Sequence, residues 1–179
     1  MAEKPETGDK KQRLKTSGAA EQRLKAPGAA KLRLKAEDAE DLSVISAILQ
    51  DSLVAVADMV FQPEEKRFVM VVNRFRHETP PKTSKGTPKN APHEGSERVM
   101  TGLRVDGVTG VKRRGLNPGD ADRLLVLLAV GAGTGAIYLD FAGGGSIRLE
   151  TGRILCHLDD FGEPWPTRFR PSHPVGDAG

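Results

Sequence analysis

Turn-forming residues divide the second half of the chain into short segments of strand type. Glycine, proline, asparagine and aspartate mark turns at 106–107, 117–120, 131–135 and 143–145. The runs between these turns are apolar or alternating, and they span 98–105, 108–114, 124–130, 136–141 and 146–150. A short turn can join two antiparallel strands, whereas parallel strands need a crossover of about a dozen residues. The spacing therefore predicts an antiparallel sheet.

The preceding segment adds one helix and further strands. Leu42, Ile45, Ile48 and Leu49 recur at helical spacing behind a cluster of acidic residues, which predicts a helix over about 38–51. Strands are predicted at 32–36, 54–62 and 67–77, and the last is apolar on both faces, as in a central strand covered on both sides. Segment 153–161 is compatible with a strand or with two turns of helix. We expect an α+β fold: a single domain with a bent antiparallel sheet of six to eight strands and one N-terminal helix packed on it.

The N-terminus carries decapeptide repeats and most of the positive charge. QRLKTSGAAE (12–21) and QRLKAPGAAK (22–31) repeat, and a third copy (32–41) runs into the predicted fold. Residues 1–35 contain ten basic and four acidic side chains, and the remainder has a net charge of −3. Glycine and proline interrupt the first two copies, which have no apolar face to bury. We therefore predict a disordered basic arm over 1–31.

The domain is expected to span 32–175, followed by a short tail at 176–179. Within it, residues 78–97 contain no large apolar side chain and are rich in proline, lysine and serine. This composition predicts a disordered internal loop, because little burial is available to offset the entropy of ordering.

Motifs for chemistry are weak. GAGTGA (131–136) resembles a dinucleotide fingerprint, but strand-type residues follow it where a helix is required, so a hairpin turn is the better prediction. Cys156 is the single cysteine, and His157 and Asp159 form only a weak two-ligand pattern. We assign no catalytic, cofactor-binding or metal-binding residue, and we expect no cofactor.

Two basic clusters and one tryptophan are the candidate interaction residues. NRFRH (73–77) and KRRG (112–115) stand at predicted strand ends, where such clusters are more often solvated rims. Trp165 lies between two prolines and is expected to anchor the tail to the sheet or, alternatively, to dock a partner. The candidate residues are Arg74, Arg76, Arg113, Arg114, Trp165 and Arg168.

Several segments together resemble a known family. LKAEDAEDLSVISAILQDS, RFVMVVNRFR, FAGGGSIRLE and DDFGEPWPTRFRPSHP are similar to the bacterial family called domain of unknown function 2948, over about residues 32–175. The resemblance implies a small cytoplasmic bacterial protein with one domain, and it brings no activity, cofactor or partner with it.

These observations predict a non-catalytic binding or adaptor module with a protein partner. The alternative is an RNA- or ribosome-associated protein that uses the basic arm, and an unrecognised enzyme is the third hypothesis. Any affinity for nucleic acid is expected to be weak and carried by the arm, because the rest of the chain has net negative charge. With one cysteine, no secretory signal and no apolar run beyond LLVLLAV (124–130), we expect a cytoplasmic protein without membrane contact.

Overall fold

A computed structural model describes residues 31–78, 96–117 and 119–167. These residues form ten strands, one α-helix, α1 (Ala39–Leu49), and one 3₁₀ turn (Val56–Asp58). The strands are β1 (Arg33–Ala36), β2 (Ser52–Ala55), β3 (Met59–Gln62), β4 (Arg67–Phe75), β5 (Glu97–Asp106), β6 (Val108–Arg114), β7 (Leu124–Gly133), β8 (Ala136–Phe141), β9 (Ser146–Thr151) and β10 (Cys156–Pro166). The predicted arm up to residue 30, most of the predicted loop (79–95), the tail and Arg168 lie outside the described residues.

All ten strands belong to one antiparallel sheet in the order β1-β10-β5-β4-β2-β7-β8-β9-β6, with β3 paired to β4. The prediction of an antiparallel sheet with one helix is confirmed, but the predicted number of six to eight strands is too low. The 3₁₀ turn splits the expected strand at 54–62 into β2 and β3. The ambiguous segment at 153–161 contributes to β10, which is held as a strand because it pairs with β1 on one side and β5 on the other.

Helix α1 covers one face of the sheet, which we call the inner face. The helix begins where the Asp38 carboxylate accepts a hydrogen bond from the Asp41 amide at 2.9 Å, so the N-cap satisfies an amide that lacks an intrahelical partner. Leu42, Ile45 and Leu49 are buried in the core, and the helix packs mainly against β7. The predicted apolar stripe of the helix is therefore confirmed.

The opposite, outer face of the sheet is only half covered. In β4, Phe68, Met70 and Val72 are buried on the inner face, while Val69 and Val71 alternate with them and are only partly buried. The expectation that this strand is covered on both sides is therefore wrong. An outer row crosses five neighbouring strands through successive Cα partners, and its members are Phe161, Met100, Asn73, Leu53 and Val126.

Glycines shape the hairpins that carry the later strands. Strands β7 and β8 form a hairpin whose turn places Gly135 at a φ of +65°, a conformation that favours glycine. The predicted hairpin at GAGTGA is confirmed, and Gly131 and Gly133 belong to β7 itself.

Across the described ranges, no helix is long and apolar enough to cross a membrane.

Candidate anion-binding face

The first predicted basic cluster is buried and paired with carboxylates. Arg74 is only 1% exposed, and its guanidinium donates to both oxygens of Asp160, at 2.9 and 2.6 Å. It also donates to Glu78 at 2.8 and 3.1 Å. Arg76 donates to Glu97 at 2.6 Å. These two arginines neutralise acidic side chains at one end of the sheet, and their position favours a structural role.

Asp160 is the centre of this buried network. Burial works to raise the pKa of its carboxyl group, but hydrogen bonds from Arg74 and Thr101 outweigh burial and lower the pKa below its ordinary value. The Thr101 hydroxyl donates at 2.7 Å, and the Leu32 amide donates at 3.3 Å. The carboxylate therefore stays ionised at neutral pH and holds β10, β5 and β4 together.

The second predicted cluster is divided between the two faces of the sheet. Arg113 and Arg114 are consecutive in β6, so their side chains point to opposite faces. Arg113 is the Cα partner of Ile147. It lines a cavity of about 210 Å³ together with Met59 and other apolar residues. This cavity lies between the 3₁₀ turn, β3 and β9. Arg114 is the partner of Ser146 on the outer face. The two side chains therefore diverge, although both residues also line, with Lys112, one concave volume on the outer face.

Trp165 lies within the last strand. It is the Cα partner of Arg98, after a shift in register that follows Phe161, and it is half-buried. The tryptophan thus belongs to the sheet, between two prolines. Its docking role stays a prediction. Arg168, the remaining predicted residue, lies outside the described part of the chain.

Strand pairing assembles a basic surface that the sequence motifs do not show. The outward residues of β6, β9 and β8 surround a concave volume of about 300 Å³. Cα pairing places Lys112 opposite Arg148 and Arg114 opposite Ser146, and β8 contributes Tyr138 beside Arg148. We call this surface the basic strand face, and the residues that line it are Lys112, Arg113, Arg114, Tyr138, Asp140, Ser146 and Arg148.

Two carboxylates reduce the positive charge of this face: Asp140, which is an exposed member of it, and Glu150. A single oxygen of Glu150 accepts hydrogen bonds from Lys112 Nζ at 2.8 Å and from Arg148 at 2.5 Å. Both hydrogen bonds lower the pKa of the Glu150 carboxyl group, and the bond from Lys112 has the larger effect. The carboxylate has room because Gly110, in the facing strand, has no side chain. A Cβ at that position would lie only 2.7 Å from the other oxygen of Glu150. Glu150 is therefore an ionised internal counterion of Lys112 and Arg148.

Arg114 adds a further cation to the face. It is exposed, and within the residues that the structure describes it makes no ion pair. Lys112 is also accessible, with 70% of its side chain exposed despite its bond to Glu150. Two adjacent outward positions of β6 thus present positive charge to solvent.

Tyr138 provides a fixed aromatic ring beside these cations. Its hydroxyl accepts a hydrogen bond from Arg148 Nε at 3.2 Å. The ring lies against the backbone of β7 at Gly133, where an added Cβ would come within 2.6 Å of the tyrosine Cε2. The absence of a side chain at Gly133 is what allows the ring to lie there.

Other reactive side chains offer less. Burial raises the pKa of the Cys156 thiol to about 12, so the thiolate that a nucleophile requires is not formed at neutral pH. His157 and Asp159 alternate with buried residues of β10, and His157 lies 3.7 Å from Asp106. No group of three or more metal-ligating side chains occurs among the described residues. The basic strand face is therefore the candidate site among the described residues.

Comparison with protein families gives one match. A family model described as "Protein of unknown function (DUF2948)" matches residues 32–173 and confirms the resemblance seen in the sequence. Comparisons with curated proteins and with solved structures found no match.

Proposed function

The chain belongs to the DUF2948 family, and from the geometry of its basic strand face we propose that it is a non-catalytic binding module whose ligand is RNA. The observation that carries the proposal is the cluster of outward cations around Tyr138, in which Arg114 has no counterion among the described residues. Arginine and lysine side chains bind phosphate groups and supply most of the affinity for a nucleic-acid backbone.

Local charge supports this proposal more than net charge opposes it. Residues 36–179 have a net charge of −3, and ion pairs such as Asp160 with Arg74 leave it unchanged because both partners are counted in it. At physiological salt, charges further away than about 8 Å are largely screened. A phosphate at the basic strand face therefore responds mainly to the charges of the face itself. These are the cations Lys112, Arg113, Arg114 and Arg148 and the carboxylates Asp140 and Glu150.

The test is fluorescence anisotropy of the full chain with a labelled generic RNA at several salt concentrations. We expect the double variant K112Q/R114Q to bind about tenfold or more weakly at low salt, because two phosphate contacts are lost. The slope of log affinity against log salt should fall by roughly 0.7–0.9 for each contact. A control with the same change in charge is R33Q/R153Q, at two exposed arginines outside the face.

The control should retain the affinity and salt slope of the unchanged chain within about twofold. Equal binding by K112Q/R114Q and by the unchanged chain would contradict the proposal. If binding then disappears on deletion of residues 2–30, the basic arm carries it, as the sequence-based alternative holds.

A protein partner is the second candidate, favoured by the outer row. Phe161 and Met100 are exposed by 37% and 39%, and they pair across β10 and β5 with Gly102 adjacent. Exposed apolar side chains that are contiguous are typical of protein–protein contacts. A pull-down from bacterial lysate, with and without nuclease, separates the two functions. A protein captured after nuclease treatment by the unchanged chain and lost with M100K would support the adaptor function.

A further inference from the structure

We infer that the RNA is bound as a single strand, with one base stacked on the ring of Tyr138. This inference rests on the proposed function and adds the strandedness of the ligand. It follows from the position of one aromatic ring within the cationic surface.

The ring of Tyr138 is held in one orientation from two directions. From below, its edge meets the bare backbone of β7, since the Cβ position of Gly133 is 2.6 Å from Cε2. From the side, Arg148 Nε donates to the hydroxyl at 3.2 Å. Tyr138 is half-buried and lines the concave volume, so the remaining surface of the ring faces the space where a ligand would lie. A ring that is already oriented loses little conformational entropy when a base stacks on it.

The cations lie where the sugar-phosphate backbone of a stacked nucleotide would run. Arg148 is the Cα partner of both Tyr138 and Lys112, so the lysine is one strand beyond the arginine, about 10 Å from the tyrosine strand. Arg114 follows two residues further along the same face of β6. In this arrangement Lys112 and Arg114 contact phosphates, while Arg148 positions the ring.

A duplex would use only part of this surface. Its bases are stacked on each other and paired, so their faces are not available to a side chain that lies on a sheet. A single strand exposes its bases, and stacking on an aromatic side chain is tolerant of sequence because every base has a π face. The combination of Tyr138 with flanking cations therefore favours a single strand over a duplex.

The experiment compares a fluorescein-labelled 12-nucleotide oligouridylate with an RNA duplex of the same length, using the full chain. We expect Tyr138→Leu to weaken binding of the single strand about tenfold, the effect of losing one stacked base, with little change for the duplex. Tyr138→Phe retains the ring and should stay within about threefold of the unchanged chain.

A pair of glycine variants tests the ring position without removing the ring. Gly133→Ala forces Tyr138 to move, whereas a Cβ at Gly131, in the same strand, meets no other atom within 4 Å. Gly133→Ala should weaken binding of the single strand, and Gly131→Ala should leave it unchanged. Thermal melting of each variant establishes that it is folded.

Photocrosslinking tests the contact in the unchanged chain. An oligouridylate carrying 5-iodouracil should attach to residue 138, which is the single tyrosine of the sequence and is readily assigned by mass spectrometry. Two results would overturn this inference. One is crosslinking at residues other than Tyr138. The other is equal binding of single strand and duplex, with no effect of Tyr138→Leu on either. If K112Q/R114Q still weakens binding in that case, the proposed function stands; if it does not, both fall.

Discussion

Removing the Asp160 carboxylate should destabilise the fold more than any comparable change on the surface. Asp160 has 5% of its side chain exposed, and it accepts two hydrogen bonds from Arg74, which is itself buried, and one from Thr101. In Asp160→Asn the guanidinium remains buried but loses the carboxylate that accepts two of its hydrogen bonds, while its bonds to Glu78 remain. Breaking a buried pair from one side costs about 3–5 kcal/mol.

That cost is a large part of the stability of a domain of this size, which is about 5–15 kcal/mol. A loss of 1 kcal/mol lowers the melting temperature of such a domain by roughly 3–4 °C, so we expect a fall of about 10 °C or more. Urea denaturation followed by the fluorescence of Trp165 measures the free energy of unfolding directly. The slope of the free energy of unfolding against urea concentration should stay unchanged, because the surface exposed on unfolding is the same.

The preceding residue is a matched control. Asp159 has 47% of its side chain exposed and pairs with Arg33, which is exposed as well. Asp159→Asn makes the same chemical change on the other face of β10 and should cost less than about 1 kcal/mol. Equal costs for the two variants would refute the assignment of Asp160 to a buried network. The double variant R74M/D160L should recover part of the stability lost in Asp160→Asn, because no charge is left buried alone.

Three further predictions concern pH, the basic strand face and the helix. The pKa of Asp160 is lowered in the folded state, so the contribution of its carboxylate to the free energy of unfolding is present above the pKa of the unfolded chain, about 4. This contribution is lost as the pH falls below that value. In urea titrations the unchanged chain and Asp160→Asn should therefore converge in stability on acidification. Glu150→Gln should raise the affinity for RNA several-fold and steepen its salt dependence in the anisotropy assay, because Lys112 loses its internal counterion. Unchanged binding would show that Lys112 does not contact phosphate. Asp38→Ala should lower the free energy of unfolding by about 1 kcal/mol, since the helix loses its N-cap bond, and a change below about 0.3 kcal/mol in thermal melts would contradict that role.

Local signals in the sequence predicted the elements that depend on neighbours in the chain. The helix, its acidic start and its apolar stripe follow from side chains three and four residues apart. The hairpin of β7 and β8 follows from the glycines at 131–135, and the register of such a hairpin depends on its turn. The antiparallel class of the sheet was predictable on the same ground. The break between β2 and β3 was not, because the residues at 56–58 contain no glycine or proline to mark a turn.

Tertiary structure decided which strands lie side by side, and hence which charges meet. Arg74 resembled a solvated strand end in the sequence, but pairing through β5 brings it to Asp160, 86 residues away. The basic strand face arises in the same way, because β6 pairs with β9 and not with its neighbour β5. Alternation along a strand determines which side chains share a face, but it contains no information about the adjacent strand. That choice depends on the burial of the whole core, so the partners of Lys112 and Arg114 emerge only in the folded sheet.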